Sequence, residues 1–170
     1  MKKITYQRLY NITLYYLGRY ESTTDKVRQM LCRRVQKSKL AGDEVPDEVN
    51  VWIDKVVLSM QDFGYIDNRR YLENTYRRLR LQGKSLRFIF GKLSADGIEA
   101  DMLQSFMDEQ NASSEELDIE SARRLVCKKR IGYLRPKDKQ KEMYQKDLAT
   151  LARAGFSFDV AKKALSGEEN

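Results

Sequence analysis

A helical spacing of apolar residues, broken at intervals by glycine, limits this chain more than any other feature. Tyr6, Leu9, Tyr10, Thr13, Leu14 and Leu17 fall at i, i+3, i+4, i+7, i+8 and i+11, one stripe of an α-helix. Val49, Trp52, Ile53, Val56, Val57 and Met60 form a second stripe, opened by Pro46-Asp47-Glu48, a favourable first turn. Leu72, Thr75, Tyr76 and Leu79 give a third, and Leu86, Ile89, Phe90 and Leu93 a fourth. Met102, Leu103, Phe106 and Met107 add a short one. No run alternates with period two between turn signals, so the fold expected is all-α.

Punctuation supports the same division. Ser22-Thr23-Thr24-Asp25 supplies N-cap hydroxyls, with Ser22 and Asp25 at capping spacing, ahead of a helix around Val27–Val35. Gly83-Lys84-Ser85 pairs a C-cap glycine with an N-cap serine. Gly64, Gly97 and Gly155 each follow an apolar helical stretch. Ser38–Asn50 is polar and expected to be a loop, and Gln110–Glu115 has the composition of a linker.

Aligning the glycines exposes a repeat. Leu93-x3-Gly97-Ile98-x3-Met102-Leu103-x2-Phe106-Met107 matches Leu151-x3-Gly155-Phe156-x3-Val160-Ala161-x2-Ala164-Leu165 position for position. Each match is a helix, a glycine suited to positive φ, an apolar staple, then a short amphipathic helix. The expected organisation is three tandem three-helix repeats over 1–63 (with the longer loop 38–50), 64–112 and 113–170. Units so small bury little core alone, so they should stack into an elongated, curved, solenoid-like body.

Composition removes whole function classes. The chain has 170 residues, ample for a core, and no histidine. That excludes Ser–His and Cys–His nucleophile pairs, histidine metal ligands and histidine acid–base chemistry. No enzyme site assembles from the rest. The start MKKITYQRLY has no apolar stretch behind its bases, so no signal peptide is expected, and no window reaches membrane-spanning length. Cys32 and Cys127 are far apart, as in a reduced cytoplasmic protein, and both are expected to be buried as small hydrophobes.

The net charge of +7 is banded along the chain. Residues 1–40 hold ten bases, from Lys2 to Lys39, against Glu21 and Asp25. Residues 69–92 hold eight against Glu73, residues 94–121 nine acids and no base, and residues 123–141 nine bases against Asp138. Such a chain suits a polyanion or an acidic protein groove. The candidate contacts are Arg69, Arg70, Arg77, Arg78, Arg80, Lys84 and Arg87, with Lys128, Lys129 and Arg130 in the second basic band. Their ordinary alternative is a solvated face whose long stems cover apolar surface. The tyrosines near these bases, Tyr71 and Tyr76 above all, suit core packing better than base stacking. The acidic run Glu115, Glu116, Asp118 and Glu120 suits a helix N-terminus better than a metal.

The stretch GYIDNRRYLENTYRRLRLQGKSLRFIFGKLSADGI (64–98) resembles the central repeat of the RecX family, regulators of the RecA recombinase. The resemblance is carried by Gly64, Tyr65, Ile66, Asp67, Tyr71, Leu72, Arg77, Gly83, Ile89, Leu93, Gly97 and Ile98, without a gap. LARAGFSFDVAKKAL (151–165), with Gly155 and Phe156, resembles the last repeat, and YYLGRYESTTDKVRQML (15–31) the first. Lys26 stands where the family usually has an acid, Leu72 replaces a small residue, Ser85 a second glycine, and Lys92 an acid. The resemblance implies a monomeric, non-enzymatic protein without a cofactor. Such a protein binds the RecA filament on single-stranded DNA, with weak direct DNA binding at most and no membrane. It modulates, mostly inhibits, the filament's ATPase, strand-exchange and co-protease activities in recombination and the SOS response. On that view, reversing Arg77, Arg78 and Arg80 to Glu weakens filament binding and leaves helicity intact. The alternative, from the basic helices alone, is a helix-turn-helix-like protein that binds DNA directly.

Overall fold

The computed structural model describes residues 3–110 and 112–167; Lys2 of the first basic band and Asn111 of the linker lie outside them. Every regular element among the described residues is helical. In order they are α1 (Tyr6–Leu17), α2 (Thr24–Leu40), α3 (Val49–Asp62), α4 (Asn68–Leu81), α5 (Leu86–Ala95), α6 (Ala100–Asp108), α7 (Ser114–Lys129), α8 (Lys137–Arg153) and α9 (Phe158–Ser166). A 3-10 turn at Gly132–Leu134 precedes α8. None of the described helices is long and apolar enough to cross a membrane.

The chain packs as two compact units, Met1–Leu72 with Asp96–Ile98, and Glu73–Ala95 with Glu99–Asn170. In the first unit α1, α2 and α3 close over Leu9, Val27, Leu31, Ile53, Val56, Val57 and Met60. Burying each such side chain stabilises by roughly 2 kcal/mol. The N-cap of α2 is Thr23, whose hydroxyl accepts from the Lys26 N–H. Ser22 is buried beside it, its hydroxyl without a partner among the described residues, so capping falls one residue later than the Ser22–Asp25 spacing suggests. Helix α2 also runs on to Leu40, and the polar loop shortens to 41–48. Lys37 and Lys39 lie in its last turn, where cations complement the helix dipole, and nothing before Gly42 stops a helix.

A buried polar chain ties this unit together. The Lys26 ammonium donates to the Tyr71 hydroxyl at 3.2 Å, and that hydroxyl donates to Asp96 Oδ2 at 2.7 Å. The ammonium also stands 3.3 Å from Asp96 Oδ1. Burial disfavours the Lys26 charge, but Tyr71 and Asp96 more than offset it and leave its pKa above the ordinary lysine value. The unusual Lys26 is thus matched by an acid from the glycine turn. Asp67 accepts from the Arg70 N–H at 2.9 Å and caps α4.

The second unit is built on Ala122, Leu125, Val126, Leu151, Phe156, Val160, Ala161 and Leu165. Ser113 and Glu116 form a reciprocal capping box on α7, so part of the acidic run is a helix start. Among the described residues no group of acids and cysteines is arranged to hold a metal ion. Asp147, 2% exposed, accepts two hydrogen bonds from the Arg135 guanidinium at 2.8 Å and one from the Gly132 N–H at 3.0 Å. The guanidinium hydrogen bond holds the Asp147 carboxyl below the usual range. Both cysteines are exposed, contrary to the expectation of burial. Each follows an inward residue, Leu31 and Val126 respectively, and turns about 100° away from the core.

Two predictions follow from this packing. Gly97 has φ +84, and a Cβ there would lie 2.3 Å from Asp25 Cβ, whereas Gly64, at φ +71, faces open space. Gly64→Ala should therefore cost about 1 kcal/mol of backbone strain, and Gly97→Ala at least about 2, by urea denaturation. Asp147→Asn should cost about 3 kcal/mol at neutral pH, because it leaves Arg135 half-buried without its anion. The lowered Asp147 pKa means its contribution is present above the unfolded carboxylate pKa near ~4 and fades as pH falls through the folded value. The gap between wild type and Asp147→Asn should accordingly narrow in acid.

Candidate functional site

The basic residues of the second unit divide into two kinds. Arg80 is only 6% exposed. Its guanidinium donates to the Leu117 carbonyl and, at 2.8 Å, to Glu120 Oε2, and it lies against the Tyr76 ring. Tyr76 in turn packs edge-on against Phe106, 4.8 Å between centroids, and burial raises its pKa. Arg80 therefore ties α4 to α7 and is not displayed to a partner. Arg77, Arg78 and Arg87 are exposed, and their side chains make no ion pair or hydrogen bond among the described residues.

Helical register explains the split. Leu72, Thr75 and Leu79 are buried on α4, and Arg80 borders that stripe while Arg77 and Arg78 turn outward. On α5, Leu86, Ile89 and Leu93 face inward, and Arg87 and Phe88 face out.

The start of α5 is fixed in several ways. Ser85 caps it by accepting from the Phe88 N–H at 3.1 Å, and Asp118 accepts from the Leu86 N–H at 2.8 Å. Burial raises the Asp118 pKa, opposed by that hydrogen bond and by Arg80. The Ser85 N–H donates to the Ala154 carbonyl at 3.1 Å, which docks α5 on the end of α8. Gly155 makes this approach possible: at φ +97, a Cβ there would lie 2.3 Å from the Ser85 hydroxyl oxygen.

The result is an open groove lined by Arg87, Phe88, Gly91 and Lys92 on one side and Ala152, Gly155 and Phe156 on the other. The Lys84 ammonium sits 4.4 Å from the centre of the Phe88 ring. Lys84, Arg87 and Lys92 thus surround one exposed aromatic ring, a surface that attracts anions and offers a flat apolar contact.

The remaining candidates lie elsewhere. Lys128, Lys129 and Arg130 are exposed at the end of α7, with Arg130 in the left-handed conformation at φ 52. Arg69 and Arg70 belong to the first unit. Arg70 pairs with Glu21 at 3.2 Å and reaches the Gly64 carbonyl at 3.3 Å, and Arg69 is half-buried. The family-motif residues Gly64, Gly83, Gly97 and Gly155 all have positive φ, and Tyr71, Ile89, Leu93, Ile98 and Phe156 are buried. Phe88 and Lys92 as groove residues escaped the sequence analysis. Phe88 sits one place off an apolar stripe, and only the docking of α8 makes a groove of its surroundings.

No family model matches the chain. It is 35% identical over 166 residues to the regulatory protein RecX of Myxococcus xanthus, covering 96% of this chain and 87% of that protein. It is 29% identical over 147 residues to the regulatory protein RecX of Bacillus velezensis, covering 83% of this chain and 51% of that protein. The crystal structure of RecX from Lactobacillus salivarius superposes with a TM-score of 0.58 at 20% identity, covering 94% of this chain and 93% of that one. A second RecX crystal structure gives 0.56 at 21%, covering 94% and 70% respectively. These likenesses show the fold.

If Arg80 is a structural clasp, Arg80→Ala should destabilise by about 3 kcal/mol, whereas Arg77→Ala and Arg78→Ala should each stay within about 0.5 kcal/mol of wild type. Thermal and urea unfolding of the three variants make the comparison.

Proposed function

The chain belongs to the RecX family of regulatory proteins, and from that premise we propose that it binds the RecA filament on single-stranded DNA and restrains its activities. The activities are ATP hydrolysis, strand exchange and co-protease action. The observation that carries this is the set of outward-facing cations Arg77, Arg78 and Arg87, with the half-buried Lys84 held against the Phe88 ring. Three of these cations lack any counter-charge among the described residues, so an anionic partner relieves their repulsion and gains charge-assisted hydrogen bonds.

In this view the protein is a monomeric, non-enzymatic regulator in the cytoplasm, organised as three three-helix repeats over 1–63, 64–112 and 113–170. Lys128, Lys129 and Arg130 add a second point of attachment, and Arg69 and Arg70 a third. Contacts at several points fix the register of the protein on a polymer. A bridge between neighbouring recombinase subunits would oppose the changes their ATPase cycle requires.

The test is RecA ATP hydrolysis on single-stranded DNA, titrated with this protein below stoichiometry, with bare-DNA binding measured in parallel at two salt concentrations. Inhibition well below the concentration needed to bind bare DNA is expected. Unaltered ATPase together with tight, salt-sensitive DNA binding would favour a direct DNA binder instead. The combined variant Arg77→Glu, Arg78→Glu and Arg87→Glu should lose inhibition by about tenfold or more with unchanged helicity. Arg80 is left out of that variant because its reversal would break packing, which corrects the variant suggested by charge density alone.

A further inference from the structure

The second unit carries another concave surface, distinct in every lining residue from the groove beside Phe88. The 3-10 turn Gly132–Leu134, the first half of α8 and the end of α9 enclose an open notch of about 420 Å³. Its lining includes Gly132, Tyr133, Tyr144 and Leu165, with Lys141 and Lys162 at the edge and no carboxylate. The volume falls in the ~300–1,000 Å³ range of sites that hold small ligands or side chains.

The notch is firmly built. Gly132 is held by its N–H bond to the buried Asp147, which Arg135 grips in turn. The Gln140 amide donates to the Tyr133 and Arg135 carbonyls at 3.3 and 2.8 Å, pinning the turn to α8. The backbone of Gly167 lies close behind the Tyr133 ring, whose residue stays 42% exposed. Tyr144 packs on the core of the unit. Rigid aromatic walls lose little side-chain entropy on binding, so contact area there converts efficiently into affinity.

Chemistry distinguishes the occupant. A nucleic-acid strand is best met by a run of cations, often arginine forks, along its backbone. Here two lysines stand over an apolar floor of Leu165 and aromatic carbon, and no arginine lines the site. We propose that this notch docks an acidic protein segment bearing an apolar or aromatic side chain. That side chain seats on Tyr144 and Leu165 against Tyr133, and its flanking carboxylates pair with Lys141 and Lys162. This site stands apart from the cationic groove and does not depend on the function proposed for it.

The probe is a fluorescein-labelled peptide, Asp-Glu-Leu-Asp-Glu-Phe-Glu, titrated with the full chain by anisotropy. Saturable binding is expected. Lys141→Glu with Lys162→Glu should weaken it by about tenfold or more, and Tyr133→Ser by about fivefold, while Arg87→Glu should leave it within about twofold. Both lysines and Tyr133 are exposed, and circular dichroism verifies that the variants fold. A peptide with Leu and Phe replaced by Gly should bind about fivefold more weakly. Equal binding of that peptide, insensitivity to the lysine pair, loss on Arg87→Glu, or equally tight displacement by a twelve-nucleotide oligothymidylate would each overturn the assignment.

Discussion

The cationic surface depends on how closely the start of α5 approaches the end of α8. Gly155 permits that approach, because any side chain there would occupy the place of the Ser85 hydroxyl. Once the backbones are in contact, the Ser85 N–H finds the Ala154 carbonyl, and Ser85 and Asp118 satisfy the next orphan donors of α5. The helix axis is then fixed, and with it the directions of Arg87, Phe88 and Lys92. Arg80 does the same for α4 by a different means. Its buried guanidinium satisfies the Leu117 carbonyl and Glu120 at once, so one charge from a dense basic cluster becomes part of the frame.

This division of labour explains why counting charges in a sequence says so little about which ones a partner meets. Arg77, Arg78 and Arg80 are nearly indistinguishable in a linear reading. Only the helical phase, set by Leu72, Thr75 and Leu79, assigns two outward and one to the edge of the core. Arg135 shows the same behaviour: it lies in the second basic band but serves the buried carboxylate of Asp147. Surface cations without partners and buried cations with excellent ones have different energetics. The first cost little to remove, whereas removing one partner of the second strands a charge.

Much of the fold was legible because apolar spacing and glycine punctuation are local properties. The stripes led by Leu9, Ile53 and Ile89 are helices, and the turns at Gly64, Gly97 and Gly155 have positive φ. The errors arose where polar residues had no spacing signal. Ser38, Lys39 and Leu40, at the start of the polar stretch expected to be a loop, extend α2 instead, and Thr23 takes the capping role for which Ser22 has the spacing. Cys32 and Cys127 are exposed because the small apolar character of a cysteine does not fix its phase on a helix, and both fall one residue past an inward position. The Lys26–Tyr71–Asp96 chain and the groove beside Phe88 were invisible for one reason: each joins residues from separate elements, and no pattern within either element announces the meeting.

Under the proposed function, the outward arginines of the second unit face the recombinase filament. Site-specific photocrosslinking tests it most directly. A benzoylphenylalanine placed at position 78 or 87, or at the exposed acidic position 101 on α6 as reference, is irradiated with RecA assembled on single-stranded DNA. Crosslinks to the filament are expected from positions 78 and 87, with little from 101. Crosslinking from 101 alone, or equally from all three, would contradict it.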